Sequence, residues 1–311
     1  MAAAAALWGT SYPAIGVAIR DADALSIALL RSAGQAVLLG SAMALVHRRH
    51  RGGASTTARR PDRRRQVLTL VGLGLLGGFF NVGQAVSVGL SGPVAPAFVA
   101  GIYPVLTVIL ATVVLGEALT ARVMLGFLSA SVGTILLADP GQADIANLAG
   151  LAIAAAAALA FACYLVASRH VMESAAIPPL LTTLAVFVGV VAQSVVAIVI
   201  TGAEALPRST SPAFIAAMTW LVLGSGILPL AMSEISVRRA PLIGTSPFLF
   251  LAPLVAAAIG LGVLGEKLSP PQLVGGLLAV LGIVVATAPR RPGAGPAARA
   301  VVRTTSEPPM E

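Results

Sequence analysis

Ten long apolar stretches follow one another along the chain, near residues 2–20, 24–46, 66–89, 93–115, 121–138, 148–168, 180–201, 212–236, 241–264 and 271–288, with short polar or charged connections between them. A helix needs roughly 20 apolar residues to cross a hydrocarbon core about 30 Å thick, so each stretch predicts one span. None alternates apolar and polar residues as a barrel strand does, and open sheets leave unpaired amides that cost several kcal/mol each in lipid. The expected fold is an all-α membrane protein of ten transmembrane helices. The opening stretch is rich in alanine but lacks the charged leader of a signal peptide, so it is expected to stay as the first span.

The closing parts of the two halves carry the same residues at one offset. Pro104, Leu115-Gly116-Glu117, Leu119, Gly126 and Gly133 recur 149 positions later as Pro253, Leu264-Gly265-Glu266, Leu268, Gly275 and Gly282, without a gap. Five spans per half is an odd number, so the second half is expected to enter the bilayer inverted relative to the first, an arrangement typical of transporters. The expected units are a first repeat over 1–140, a second over 141–288 and a tail over 289–311. That tail is rich in Pro, Ala and Arg without apolar periodicity and is expected to be disordered.

Composition agrees: 57% of residues are hydrophobic and 10% charged. The net charge of +8 would suggest nucleic acid in a soluble protein, but the placement of the basic residues points elsewhere. Eight arginines lie between the second and third stretches (Arg48, Arg49, Arg51, Arg59, Arg60, Arg63, Arg64, Arg65) and four follow the last (Arg290, Arg291, Arg299, Arg303). With Arg122, Arg169, Arg238 and Arg239, an orientation with both termini cytoplasmic puts sixteen basic residues inside against Arg20, Arg208 and Lys267 outside. The positive-inside rule selects that topology, in the cell membrane. The basic connection and tail also suit anionic lipid headgroups.

Catalytic and metal chemistry find no foothold. Cys163 is the single cysteine, which rules out an intrachain disulfide or a thiolate cluster. His47, His50 and His170 stand among arginines in or beside the cytoplasmic connections, where a solvated role is expected. There is no Gly-x-Ser-x-Gly elbow and no phosphate-binding loop, so no enzyme, no cofactor and no ATP drive is expected. Coupling, where present, is expected from protons or another ion gradient.

Trp8-Gly9 opening the first span, Arg31 in the second, mid-span Pro104 and Pro253, and the two Leu-Gly-Glu turns with their following glycines give the chain a resemblance over nearly all of 1–288. It resembles the EamA branch of the drug/metabolite transporter superfamily. That resemblance implies two inverted five-helix repeats around a central cavity and export of small, amino-acid-like or drug-like metabolites by alternating access. The repeats diverge most at their openings, where Trp8-Gly9 stands opposite Phe161-Ala162. A lipid-translocating or non-transporting scaffold protein is the alternative reading.

Within the spans, several residues are candidates for solute contact or motion. Pro13, Pro104 and Pro253 lie near mid-span, where a proline removes a backbone hydrogen bond and frees a carbonyl; hinge and packing kink are both open readings. Arg31 lies seven residues into its span with no acid on its own helix, and a charge at membrane depth costs at least about 2.5–3.5 kcal/mol. It faces either the cavity, with Asn81 and Gln84 at a similar depth, or the outer headgroups by snorkelling. Trp8 and Tyr12 share a face of the first helix, and Tyr103 precedes Pro104; with Arg31, Asn81 and Gln84 they form the candidate substrate site. Glu234 has two readings, an ion pair with Arg238 one turn later or a coupling site. Glu117 and Glu266 are expected to cap helix starts.

Overall fold

The computed structural model describes residues 1–50, 63–91, 94–138, 148–174, 177–263 and 267–288. All regular structure among them is helical. The expectations for the tail over 289–311, for Leu264-Gly265-Glu266 and for much of the arginine-rich connection fall outside the described residues. Helices run in the order α1 (Ala2–Gly9), α2 (Ser11–Ala18), α3 (Ala24–His50), α4 (Arg63–Ser91), α5 (Val94–Leu115), α6 (Ala121–Leu137), α7 (Leu148–Ser174), α8 (Pro179–Thr201), α9 (Pro212–Val222), α10 (Leu228–Arg239), α11 (Leu242–Thr245), α12 (Leu251–Val263) and α13 (Pro270–Thr287). Among the described residues, seven continuous helical stretches are long and apolar enough to cross a bilayer. Their outer faces stay bare of protein: Val113, Val199 and Ile200 are each 77% exposed. Large apolar side chains facing outward in this way match a lipid solvent, so the protein is integral to a membrane.

Proline shapes three of the predicted stretches differently. The first is broken at Thr10 into α1 and α2, with Pro13 the third residue of α2; its ring crowds the carbonyl of Gly9, the last residue of α1. At the break, the carbonyls of Leu7 and Trp8 accept bonds from the Thr10 and Ser11 hydroxyls, each at 2.6 Å. Around Pro253 the stretch passes through α11 and a 3-10 turn (Ser246–Phe250) before α12 begins. Pro104, by contrast, lies inside a continuous α5. A fourth irregularity was not foreseen. The stretch over α9 and α10 contains a π turn, Leu223–Ile227, just before Pro229, which cannot donate a backbone hydrogen bond.

Glycines set the closest helix contacts. On α6 and α13, Gly126 lies against the carbonyl of Gly282, and Gly133 against that of Gly275; a Cβ at any of the four would fall within 2.7 Å of the facing backbone. The pairs run in opposite senses, so α6 and α13 are antiparallel. On α4 and α8, Gly74 meets Ala185 while Gly78 meets Gly189, a parallel pairing. Small residues permit such approach where lipid gives no hydrophobic drive for helices to associate. The main core lies between α3, α4, α5, α7, α8 and α10 and includes Leu73, Tyr103, Phe161, Tyr164 and Val237. A second gathers Ala18, Ile27, Phe214 and Leu221, and a third Val108, Phe127, Phe250 and Ile283.

Candidate functional site

Arg31 comes off α3 toward α4. Its Nη2 donates to Asn81 Oδ1 at 2.7 Å, and Asn81 Nδ2 in turn donates to the Gly77 carbonyl at 3.0 Å, which holds the amide with its oxygen toward the guanidinium. The Nε of Arg31 is buried and has no partner among the described residues. No carboxylate among them pairs with the charge. Gln84, one turn beyond Asn81, is half-buried and not bonded to Arg31. Of the two amides expected near Arg31, Asn81 is thus hydrogen-bonded to it and Gln84 is not.

The aromatic candidates approach this pair from the other side. Phe80, the residue before Asn81, stacks on Phe161 at 4.2 Å between ring centroids, and Tyr103 packs edge-on to both, at 5.9 Å from Phe80 and 5.1 Å from Phe161. Trp8 packs against the same core. Tyr12 is 42% exposed, while the buried Tyr103 is near enough to interact with it electrostatically. Of the predicted residues, Arg31 and Asn81 are thus bonded to each other, Tyr103 joins Phe80 and Phe161 in a ring cluster beginning one residue before Asn81, and Trp8 packs on the same large core. Phe161, noted in the sequence only as the counterpart of Trp8, is central to that ring cluster.

Glu234 is fully buried, on α10. It forms no ion pair with Arg238, which is exposed. Tyr164 donates to Glu234 Oε1, and the hydroxyls of Thr182 and Ser168 lie 3.0 and 3.4 Å from Oε2. The helix-end reading thus gives way to an interior acid. These partners lie 52 to 70 residues away in sequence, and nothing in their local pattern marked them.

Gln35 is a further polar residue that sequence reasoning passed over. Only 2% exposed, it reaches from α3 to the π turn, donates to the Leu221 carbonyl at 2.9 Å and packs on Gly226. Glu117 does cap a helix, but not the one that follows it: its two oxygens accept from the Leu242 and Ile243 amides at 2.9 and 2.8 Å, at the start of α11. The neighbouring Gly116 takes φ +68°, a left-handed turn that glycine adopts without strain. Thr120 caps α6 through the Val123 amide. A cleft of about 400 Å³ opens here, lined by Glu117, Thr120, Arg122, Pro241 and Ile243.

Comparison with known proteins decides the family. Residues 1–138 and 148–288 each match the EamA-like transporter family. The chain belongs to that family. A curated relative, the uncharacterized transporter YyaM of Bacillus subtilis (strain 168), is 26% identical over 232 residues, covering 72% of this chain and 74% of its own. A crystal structure of a protein superposes with a TM-score of 0.72 at 21% identity, over 92% of this chain and 94% of that one, which speaks to the fold alone. The EamA-like chain is a membrane transporter, and its partners are small molecules and the lipids around it.

Proposed function

We propose that this EamA-like protein is a secondary transporter of the cell membrane that exports small, amino-acid-like or drug-like metabolites by alternating access, and that Arg31 binds an anionic group of the solute. The observation that carries the reading is the guanidinium: it sits at membrane depth, turns toward Asn81, has no carboxylate partner among the described residues and keeps Nε unbonded. A planar five-donor fork in that state suits a carboxylate, which bonds two of its donors at once. Trp8, Tyr12 and Tyr103 offer ring faces and hydroxyls to the rest of the solute, with Gln84 a further polar contact once the helices part. The breaks at Thr10 and before Pro253 serve as hinges, and Gly9 packs directly on the Ala252 carbonyl beside Pro253. Pro104 acts as a kink that bends α5 as a unit.

The ten-span reading counts α1 with α2, α5 and α6 as spans beside those seven stretches. Two observations support it, together with inverted repeats over 1–140 and 141–288. Gly126 faces the repeat counterpart of Gly133, and Gly133 faces the counterpart of Gly126, as a pseudo-two-fold axis in the membrane plane requires. Antiparallel α6 and α13 with parallel α4 and α8 are also the senses that ten alternating spans assign. The basic imbalance places both termini in the cytoplasm.

Purified protein in proteoliposomes, tested by counterflow across amino acids, sugars and cationic drugs, checks the function. Carboxylate-bearing solutes are expected to move. Arg31→Ala is expected to lower their flux about tenfold or more, the equivalent of about 1.4 kcal/mol, with membrane insertion unchanged. Arg31→Lys keeps the charge without the fork and is expected to fall between. Parental flux in both variants would overturn the assignment of Arg31.

A further inference from the structure

We propose that Glu234 carries a proton in this packing of α7, α8 and α10, and that it is the residue through which the transporter takes up and releases the proton that drives it; the coupling half rests on the transporter reading above. Three observations carry the proposal.

The first is that no compensating charge meets it among the described residues. Glu234 has no exposed surface, and its partners are hydroxyls. The charged groups around it are engaged elsewhere: Arg169 of α7 donates to the Val237 and Ala240 carbonyls, the Met1 amine to Ser236, while His170, Arg238 and Arg239 are exposed. Neither α8 nor α11 contains a charged residue. Ionised carboxylates are not held in such surroundings; the group takes a proton instead.

The second is a count of hydrogens. Thr182 has one hydroxyl hydrogen and two oxygen neighbours, the Pro179 carbonyl at 2.6 Å and Glu234 Oε2 at 3.0 Å. The carbonyl can only accept, so a hydrogen committed to that shorter contact leaves the Thr182–Oε2 contact to be bridged by a hydrogen on Glu234. The Tyr164 hydroxyl meanwhile donates to Oε1, the remaining carbonyl oxygen of a neutral acid. A protonated Glu234 thus satisfies both of its oxygens.

The third is position. Tyr164 stacks on Phe161 at 5.8 Å, and Phe161 stacks on Phe80, the residue before Asn81. A row of rings therefore runs from the acid's partner Tyr164 to Phe80 on α4, the helix that carries Asn81. When α7, α8 and α10 separate, water reaches Oε2, the O–H bond ionises and the proton passes to water on the open side. The carboxylate left behind keeps its bond from Tyr164 and is reloaded from the opposite side.

Infrared difference spectra of the full-length protein in liposomes test the loaded state directly. The wild type is expected to show the carbonyl band of a protonated carboxyl at neutral pH, lost as the pH is raised. Glu234→Gln is expected to lack it, and Tyr164→Phe to keep it at a shifted frequency because the donor to Oε1 is gone. No such band in the wild type, or one that sodium abolishes, overturns the proposal whether or not any solute moves. Should the band be present while no solute of the panel is transported, the proton site stands and the transporter reading falls. For coupling, the expected result is wild-type flux that accelerates with an imposed proton gradient and a Glu234→Gln flux that ignores it. A gradient response retained in Glu234→Gln overturns the coupling role.

Discussion

Asp21, in the turn between α2 and α3, shows how single residues hold this carrier together outside the membrane. Its carboxylate accepts from the Ser209 and Ser211 hydroxyls, and its carbonyl accepts from the Arg208 amide at 2.7 Å. Arg208 also pairs with Asp23 and, at 3.1 Å, with Glu204. The bond from Ser209, then that from Ser211, holds the Asp21 carboxyl below its ordinary range. A depressed acid stabilises the fold above its unfolded pKa, and the effect is lost as pH falls through the folded value. Hydrogen-exchange protection of the Arg208 amide is therefore expected to persist through mildly acidic solution and to fail only below the usual carboxylate range. Protection that fades within the usual range would contradict the tie. Arg31 was readable as a candidate because a charge within an apolar run is a visible cost. Of the two readings of Glu234, the pair with Arg238 fails because the hydroxyls that hold the carboxyl come from α7 and α8, which the local sequence does not show.

At the scale of helices, the repeated glycines and the prolines part company. The glycine spacing on α6 and α13 was plain in the sequence, and the structure gives it a physical cause: backbones in contact. Gly133→Ala would place a Cβ 2.3 Å from the Ala279 nitrogen and 2.5 Å from the Gly275 carbonyl, so it is expected to destabilise the protein by roughly 1–3 kcal/mol. Gly72→Ala, where nothing lies within 4 Å, is expected to be neutral or slightly stabilising. Thermal unfolding of the two variants side by side checks this; equal midpoints would mean that the close contact has no weight. The prolines look alike in sequence but not in structure, since Pro13 and Pro253 follow broken backbone while α5 runs through Pro104. What differs is the neighbourhood: the Thr10 and Ser11 hydroxyls bond the Leu7 and Trp8 carbonyls at the break before Pro13, and Pro247 lies in the 3-10 turn ahead of Pro253. The π turn escaped notice because Gly224, Ser225 and Gly226 read as ordinary small residues of an apolar span.

For the whole molecule, hydrophobic length identified a helical membrane protein, and spacing pointed to its family before any contact was known. The bond of Arg31 to Asn81, the ring cluster of Tyr103 and Phe161, and the hydroxyls around the fully buried Glu234 depended on how α3, α4, α5, α7, α8 and α10 cross, which no local pattern encodes. Alternating access at the proposed solute site is the central claim, and its exposed member Tyr12 is the place to test it. With Cys163 replaced by Ser, Tyr12→Cys in sealed vesicles is to be challenged with a membrane-impermeant thiol reagent from each side in turn. The account predicts labelling from both sides, with added solute shifting the balance between them. Labelling from one side only, unchanged by any solute that the protein binds, would contradict it.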